Sequence, residues 1–99
     1  MKKLPPIHPG EILADELQEL GLTMNQFAKA LHVPPNRITA IIKGTRGITA
    51  ETALRLARYF GTSVEMWMNL QAHYEIEVAR DEFEAVIRKE VKPRDSVAA

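Results

Sequence analysis

Apolar residues recur along this chain at the three- and four-residue intervals of helix faces, and the pattern predicts five helices and no strands. The first helix is expected from Gly10 to Leu20, with Ile12, Leu13, Leu17 and Leu20 as its stripe. His8-Pro9 sets its start and Gly21 its end. Thr23 and Gln26 have the spacing of a capping box, so a second helix starts there and carries Phe27, Ala28 and Leu31. His32 and Pro34 stop it. A third helix begins near Pro35, turns Ile38, Ile41 and Ile42 inward, and ends at Gly44. After a turn from Gly44 to Gly47, Thr49 caps a fourth helix that runs to Phe60. Its inward set is Ala53, Leu54, Leu56, Ala57 and Phe60. Gly61 closes it, and Thr62 or Ser63 starts a fifth helix bearing Val64, Trp67, Met68, Leu70, Gln71, Tyr74 and Ile76. Further on, Phe83, Val86, Ile87 and Glu90 fit another helical stripe, and the tail from Pro93 is expected to fray.

Two short helices joined by a tight turn, here from Thr23 to Gly44, form a helix-turn-helix, which presents its second helix to the major groove of DNA. With the three isoleucines inward, Asn36, Arg37, Thr39, Ala40 and Lys43 are left outside. Asn36 is the candidate reader of adenine and Arg37 of guanine, each through two hydrogen bonds. Thr39 and Ala40 are placed against a thymine methyl, with phosphate as a second option for Thr39. Lys43, Thr45 and Arg46 lie at and beyond the end of that helix and are candidates for phosphate. Bland roles compete: helix capping for Asn36, a surface ion pair for Arg37, a plain turn for Thr45.

Charge first argues against a nucleic-acid partner, since the 99 residues carry a formal net charge of zero. Its distribution reverses that argument. From Thr23 to Gly61 six Lys and Arg face one Glu, while both flanks are acidic. A local basic field is what phosphate binding requires. The length fits one compact domain with a modest core. There is no cysteine, which excludes disulfides and thiolate sites and suits a cytoplasmic protein. No apolar run approaches the roughly 20 residues a membrane helix needs, and the proline-rich start does not resemble a signal peptide.

Enzyme and metal chemistry find little support. His8, His32 and His73 form no His-Glu-x-x-His arrangement, and His8 with Glu11 reads as a helix cap. No Gly-rich phosphate loop is present, and Ser63 and Ser96 have nothing nearby to make a triad. No cofactor and no metal site are expected. Trp67 reads as core beside Phe60, although it is also a residue type that anchors interfaces. Of the adjacent pair Met66 and Met68, one must be exposed.

Three further segments, HPGEIL (8–13), GTRGITAETALRLARYFGTS (44–63) and MWMNLQAHYEIE (66–77), together with the helix-turn-helix, resemble the HigA-type, VapI-related antitoxins of the Xre/Cro, lambda-repressor-like family. The resemblance implies an all-α, five-helix DNA-binding domain over residues 7–77, with a C-terminal helical extension over 78–99. It implies a cognate toxin partner, a RelE-like ribonuclease, and a homodimer that represses its own operon by binding double-stranded operator DNA. The chain departs from the family pattern at two places. His32 stands where glycine is usual at the helix-turn-helix corner, and Pro34-Pro35 replaces a hydroxyl cap. A dimer is expected on physical grounds too, because one recognition helix reads only a few base pairs. Tyr74, Ile76, Phe83 and Ile87 are the candidates for its interface. The acidic cluster Asp81, Glu82 and Glu84 could instead face a basic toxin, and a solvated tail helix is the third option. The rival readings are a plain phage- or plasmid-type repressor without a toxin and a helical protein-interaction adaptor that does not bind DNA.

Overall fold

The computed structural model describes residues 4–94, so the expected fraying of the tail falls mostly on residues outside the described set. Five helices follow one another: α1 Pro9–Leu20, α2 Met24–Leu31, α3 Pro35–Ile42, α4 Ala50–Phe60 and α5 Val64–Glu90. No strand occurs among the described residues.

The punctuation follows local chemistry. The His8 imidazole accepts the Gly10 N–H at 2.9 Å and the Glu11 carboxylate accepts the His8 N–H, a reciprocal cap on α1. Thr23 and Gln26 do the same for α2, while Thr49 and Ser63 cap α4 and α5. The corner between α2 and α3 is made by His32 at φ 58°, ψ 47°. Histidine is among the few residues with a side chain that tolerate this left-handed region. No side chain caps α3, whose start is set by Pro34 and Pro35.

Around one core of Leu13, Leu17, Phe27, Leu31, Ile38, Ile41, Ile48, Leu56 and Trp67, α1 and α2 pack on α3, and α4 packs on α2 and α5. Aromatic rings continue the core: Phe60 lies 5.7 Å from both Phe27 and Trp67, and the Trp67 indole N–H donates to the Thr62 hydroxyl at 2.8 Å. Met66 is exposed and Met68 packs against the core. Helix α1 approaches α3 at a glycine: a Cβ on Gly10 would stand 1.9 Å from the Ile41 carbonyl oxygen.

Three apolar residues sit differently from the pattern. Leu54 is 58% exposed, because Ala53, Leu56 and Ala57 already fill the buried face of α4. Leu20, in the last turn of α1, lies beyond the core that Leu13 and Leu17 reach, and is half exposed. Ile42 is half-buried and lines a surface groove with Leu17, Leu22 and Met24. The fifth helix does not divide near residue 77. It runs unbroken for 27 residues, about 40 Å at 1.5 Å per residue, and from Ala79 onward every described residue is exposed.

Candidate nucleic-acid interface

Helix α3 is held from behind by Ile38 and Ile41, both fully buried, so its opposite side faces outward. Asn36 and Lys43 are exposed there, with Thr39 and Ala40 half-buried between them. At about 100° per residue these four positions share one face of the helix. The Asn36 side chain has no hydrogen-bond partner among the described residues, and Pro34 rather than Asn36 occupies the cap position. Thr39 donates its hydroxyl to the Pro35 carbonyl at 3.2 Å.

The chain then turns sharply. Gly44 takes φ 80°, and the Ala40 carbonyl collects the N–H groups of Thr45 and Arg46 and the Thr45 hydroxyl. Those bonds bring Thr45 and Arg46 beside Lys43 at the C-terminal end of α3. Lys43 and Arg46 form no ion pair with a described residue. Their charges are uncompensated, the condition for meeting phosphate. The loop is anchored behind by Gln71 of α5, whose side-chain carbonyl accepts the Ile48 N–H at 2.7 Å.

Arg37 stands apart from the expectation of a guanine reader. Its side chain leaves the flank of α3 and reaches α4, where Nη1 donates to Glu51 at 3.0 Å, and only 19% of that side chain is exposed. Glu51 also accepts from Arg55 at 3.0 Å, and Arg55 donates its other amino group to the Leu31 carbonyl at the end of α2. The Arg55 hydrogen bond, followed by the Arg37 charge, holds the Glu51 carboxyl below its ordinary value. Sequence reasoning passed over Glu51, though its being the one carboxylate in a basic stretch was a visible signal. Gln71 and Gly10 gave no comparable signal for the contacts they make.

Of the residues considered for a dimer, Ile76, Phe83 and Ile87 are about half exposed and fall within about 40° of one another on α5. Tyr74 lies on the opposite side of the helix, edge-on to the His8 ring at 4.7 Å. No group of three or more His, Cys, Asp or Glu residues capable of holding a metal occurs among the described residues, and no helix there is long and apolar enough to cross a membrane.

Comparison with known proteins gives the same frame. A family model described as helix-turn-helix matches residues 13–67. Virulence-associated protein I of Dichelobacter nodosus is 48% identical over 85 residues, 85% of this chain and 79% of that protein. The solved addiction module antidote protein of the HigA family from Coxiella burnetii is 54% identical, with a TM-score of 0.89 over 92% of this chain and all of that one. The Pseudomonas aeruginosa antitoxin HigA, solved with the higBA promoter, is 44% identical, with a TM-score of 0.86 over 89% of this chain and 97% of that one. An outward-facing second helix in a five-helix bundle, matched over nearly its whole length by such proteins, places the chain in the helix-turn-helix family of HigA-type, VapI-related antitoxins.

Proposed function

We propose that this chain binds the operator of its own promoter as a homodimer and neutralises a cognate toxin, a ribonuclease of the RelE-like class. The observation that carries the DNA-binding part is the outward face of α3: Asn36, Thr39 and Ala40 over a rigid isoleucine backing, bordered by the unpaired Lys43 and Arg46. In this reading Asn36 pairs with an adenine edge, Thr39 and Ala40 meet a thymine methyl, and Lys43, Thr45 and Arg46 hold phosphates that fix the register. No chemistry is required, only position and charge. The promoter DNA held by the P. aeruginosa relative supports the operator as ligand.

The dimer rests on α5. Past Val78 the helix leaves the domain, and Ile76, Phe83 and Ile87 form an apolar stripe that its own chain does not cover. A second copy meeting that stripe would hold two recognition helices for half-sites about one DNA turn apart. The toxin follows from the antitoxin family to which the chain belongs.

Fluorescence anisotropy on duplex DNA from the region upstream of the reading frame tests the central claim. Binding at least about 10³-fold tighter than to a random duplex is expected. Equal affinity for both would overturn it. Sedimentation of the free chain reads the dimer, and co-purification with the product of the neighbouring reading frame reads the toxin.

A further inference from the structure

Glu51 is the one carboxylate from Thr23 to Gly61, in a stretch with six Lys and Arg. It sits in the first turn of α4, facing the flank of the recognition helix, with its side chain 58% exposed. One oxygen holds Arg37 of α3 and the other holds Arg55 of α4, which in turn holds the last carbonyl of α2. Three helices of the DNA-binding half therefore meet through one carboxylate. The arrangement does not satisfy Arg37 well, because its Nε is buried without a partner. A buried donor left unpaired is costly, so packing alone does not account for an arginine at this position.

We propose that Glu51 is a specificity-determining residue: it ties the Arg37 guanidinium to α4, so that this cation sets the pose of α3 and is withheld from indiscriminate contact with phosphate. Without the tie, a long flexible cation beside the groove-facing helix would add sequence-independent attraction to any duplex. With it, the mobile charge of the face is confined to Lys43 and Arg46, at the end of α3. The proposal rests on the DNA-binding reading above, and it makes Arg37 a positioning residue and not a reader of bases.

The test compares the wild-type chain with Glu51→Gln, Arg37→Ala and the double variant, on the chain's own promoter duplex and on a random duplex, over a range of salt. Glutamine keeps the size and an acceptor oxygen at an exposed position, and circular dichroism verifies that each variant is helical. Glu51→Gln is expected to bind the random duplex more tightly, with a salt slope steeper by about 0.9, the value of one extra phosphate contact. Near 0.1 M salt that slope amounts to roughly fivefold to tenfold. Promoter binding gains less, so discrimination falls. In the double variant the gain on random DNA disappears, because the released cation is gone. A merely structural pair would weaken both duplexes and leave the slope alone. An unchanged random-DNA affinity and slope in Glu51→Gln, or a gain that survives Arg37→Ala, overturns the proposal. A wild-type chain that does not discriminate between the duplexes defeats instead the reading on which it rests.

Discussion

The side-chain carbonyl of Gln71 accepts the backbone N–H of Ile48 at 2.7 Å, joining α5 to the loop that follows the recognition helix, 23 positions away in sequence. Gln71 is buried, its amide nitrogen donates to Glu75, and it fits only because Gly47 has no side chain: a Cβ there would stand 2.7 Å from that nitrogen. Replacing Gln71 by leucine preserves the volume and orphans the Ile48 N–H. The expected loss is about 1–3 kcal/mol, measured by urea unfolding. Since Arg46 and Lys43 ride on the same loop and helix end, DNA affinity should fall with it. A variant as stable as wild type would mean that the bond contributes nothing net.

Gly10 is the point at which α1 touches α3. Alanine there would drive a methyl group into the Ile41 carbonyl, and backbone is the obstacle, so neither helix can yield cheaply. Gly10→Ala should destabilise the fold by about 3 kcal/mol, the upper end of overpacking effects. A shift in the melting temperature of under a degree would contradict the close approach.

His32 holds the helix-turn-helix corner in the left-handed region. Holding that region costs a residue with a side chain roughly 1–2 kcal/mol relative to glycine, against about 0.5–1 kcal/mol for glycine's greater freedom when unfolded. His32→Gly should therefore stabilise the chain by about 0.5–1 kcal/mol, read from the denaturation midpoint. His32→Val, whose branched side chain tolerates the conformation worst, should destabilise it.

Lys43 has no partner to lose. Lys43→Ala should leave stability within about 0.5 kcal/mol of wild type and weaken promoter and random duplexes together. The slope of log K against log salt should flatten by about 0.9. An unchanged slope would remove Lys43 from the phosphate contacts.

Glu51 gives an acid dependence with a defined sign. Its carboxyl is held below the ordinary 4.5 in the folded chain by Arg55 and then Arg37. Near that pH the unfolded chain binds the proton more readily, so the ion pairs contribute to stability above about pH 4.5 and lose that contribution as the pH falls through the lowered folded value. The stability difference between wild type and Glu51→Gln should shrink on acidification across that window. A difference independent of pH would show that the two arginines do not act on this carboxylate.

The helices were legible because their signals are local. Thr23 and Gln26, Thr49, Ser63, and His8 with Glu11 each act within three residues, and each caps as its spacing implies. Trp67 and the isoleucines Ile38 and Ile41 follow from periodicity and are buried. Errors arose where the periodicity was right and the neighbours were absent: Leu20 and Leu54 lie on or beside apolar stripes that the core does not reach. The polar site was less legible because its partners are distant in sequence. Arg37 and Glu51 are 14 positions apart, and Gln71 and Ile48 are 23 apart. Helical periodicity gives no information at that range. It placed Arg37 outside the isoleucine face without showing that the side chain would bend to α4.

The unbroken course of α5 carries a geometric consequence. Its first turns are bolted into the bundle by Trp67 and Gln71, and its last turns stand clear as an arm without a hinge. Should two copies clasp along that arm, it would act as the beam of a caliper, and the gap between the two probes would be fixed by the beam's length. Residues inserted within it would rotate and displace one jaw relative to the other, so the permitted distance between operator halves would be inscribed in a segment outside the helix-turn-helix.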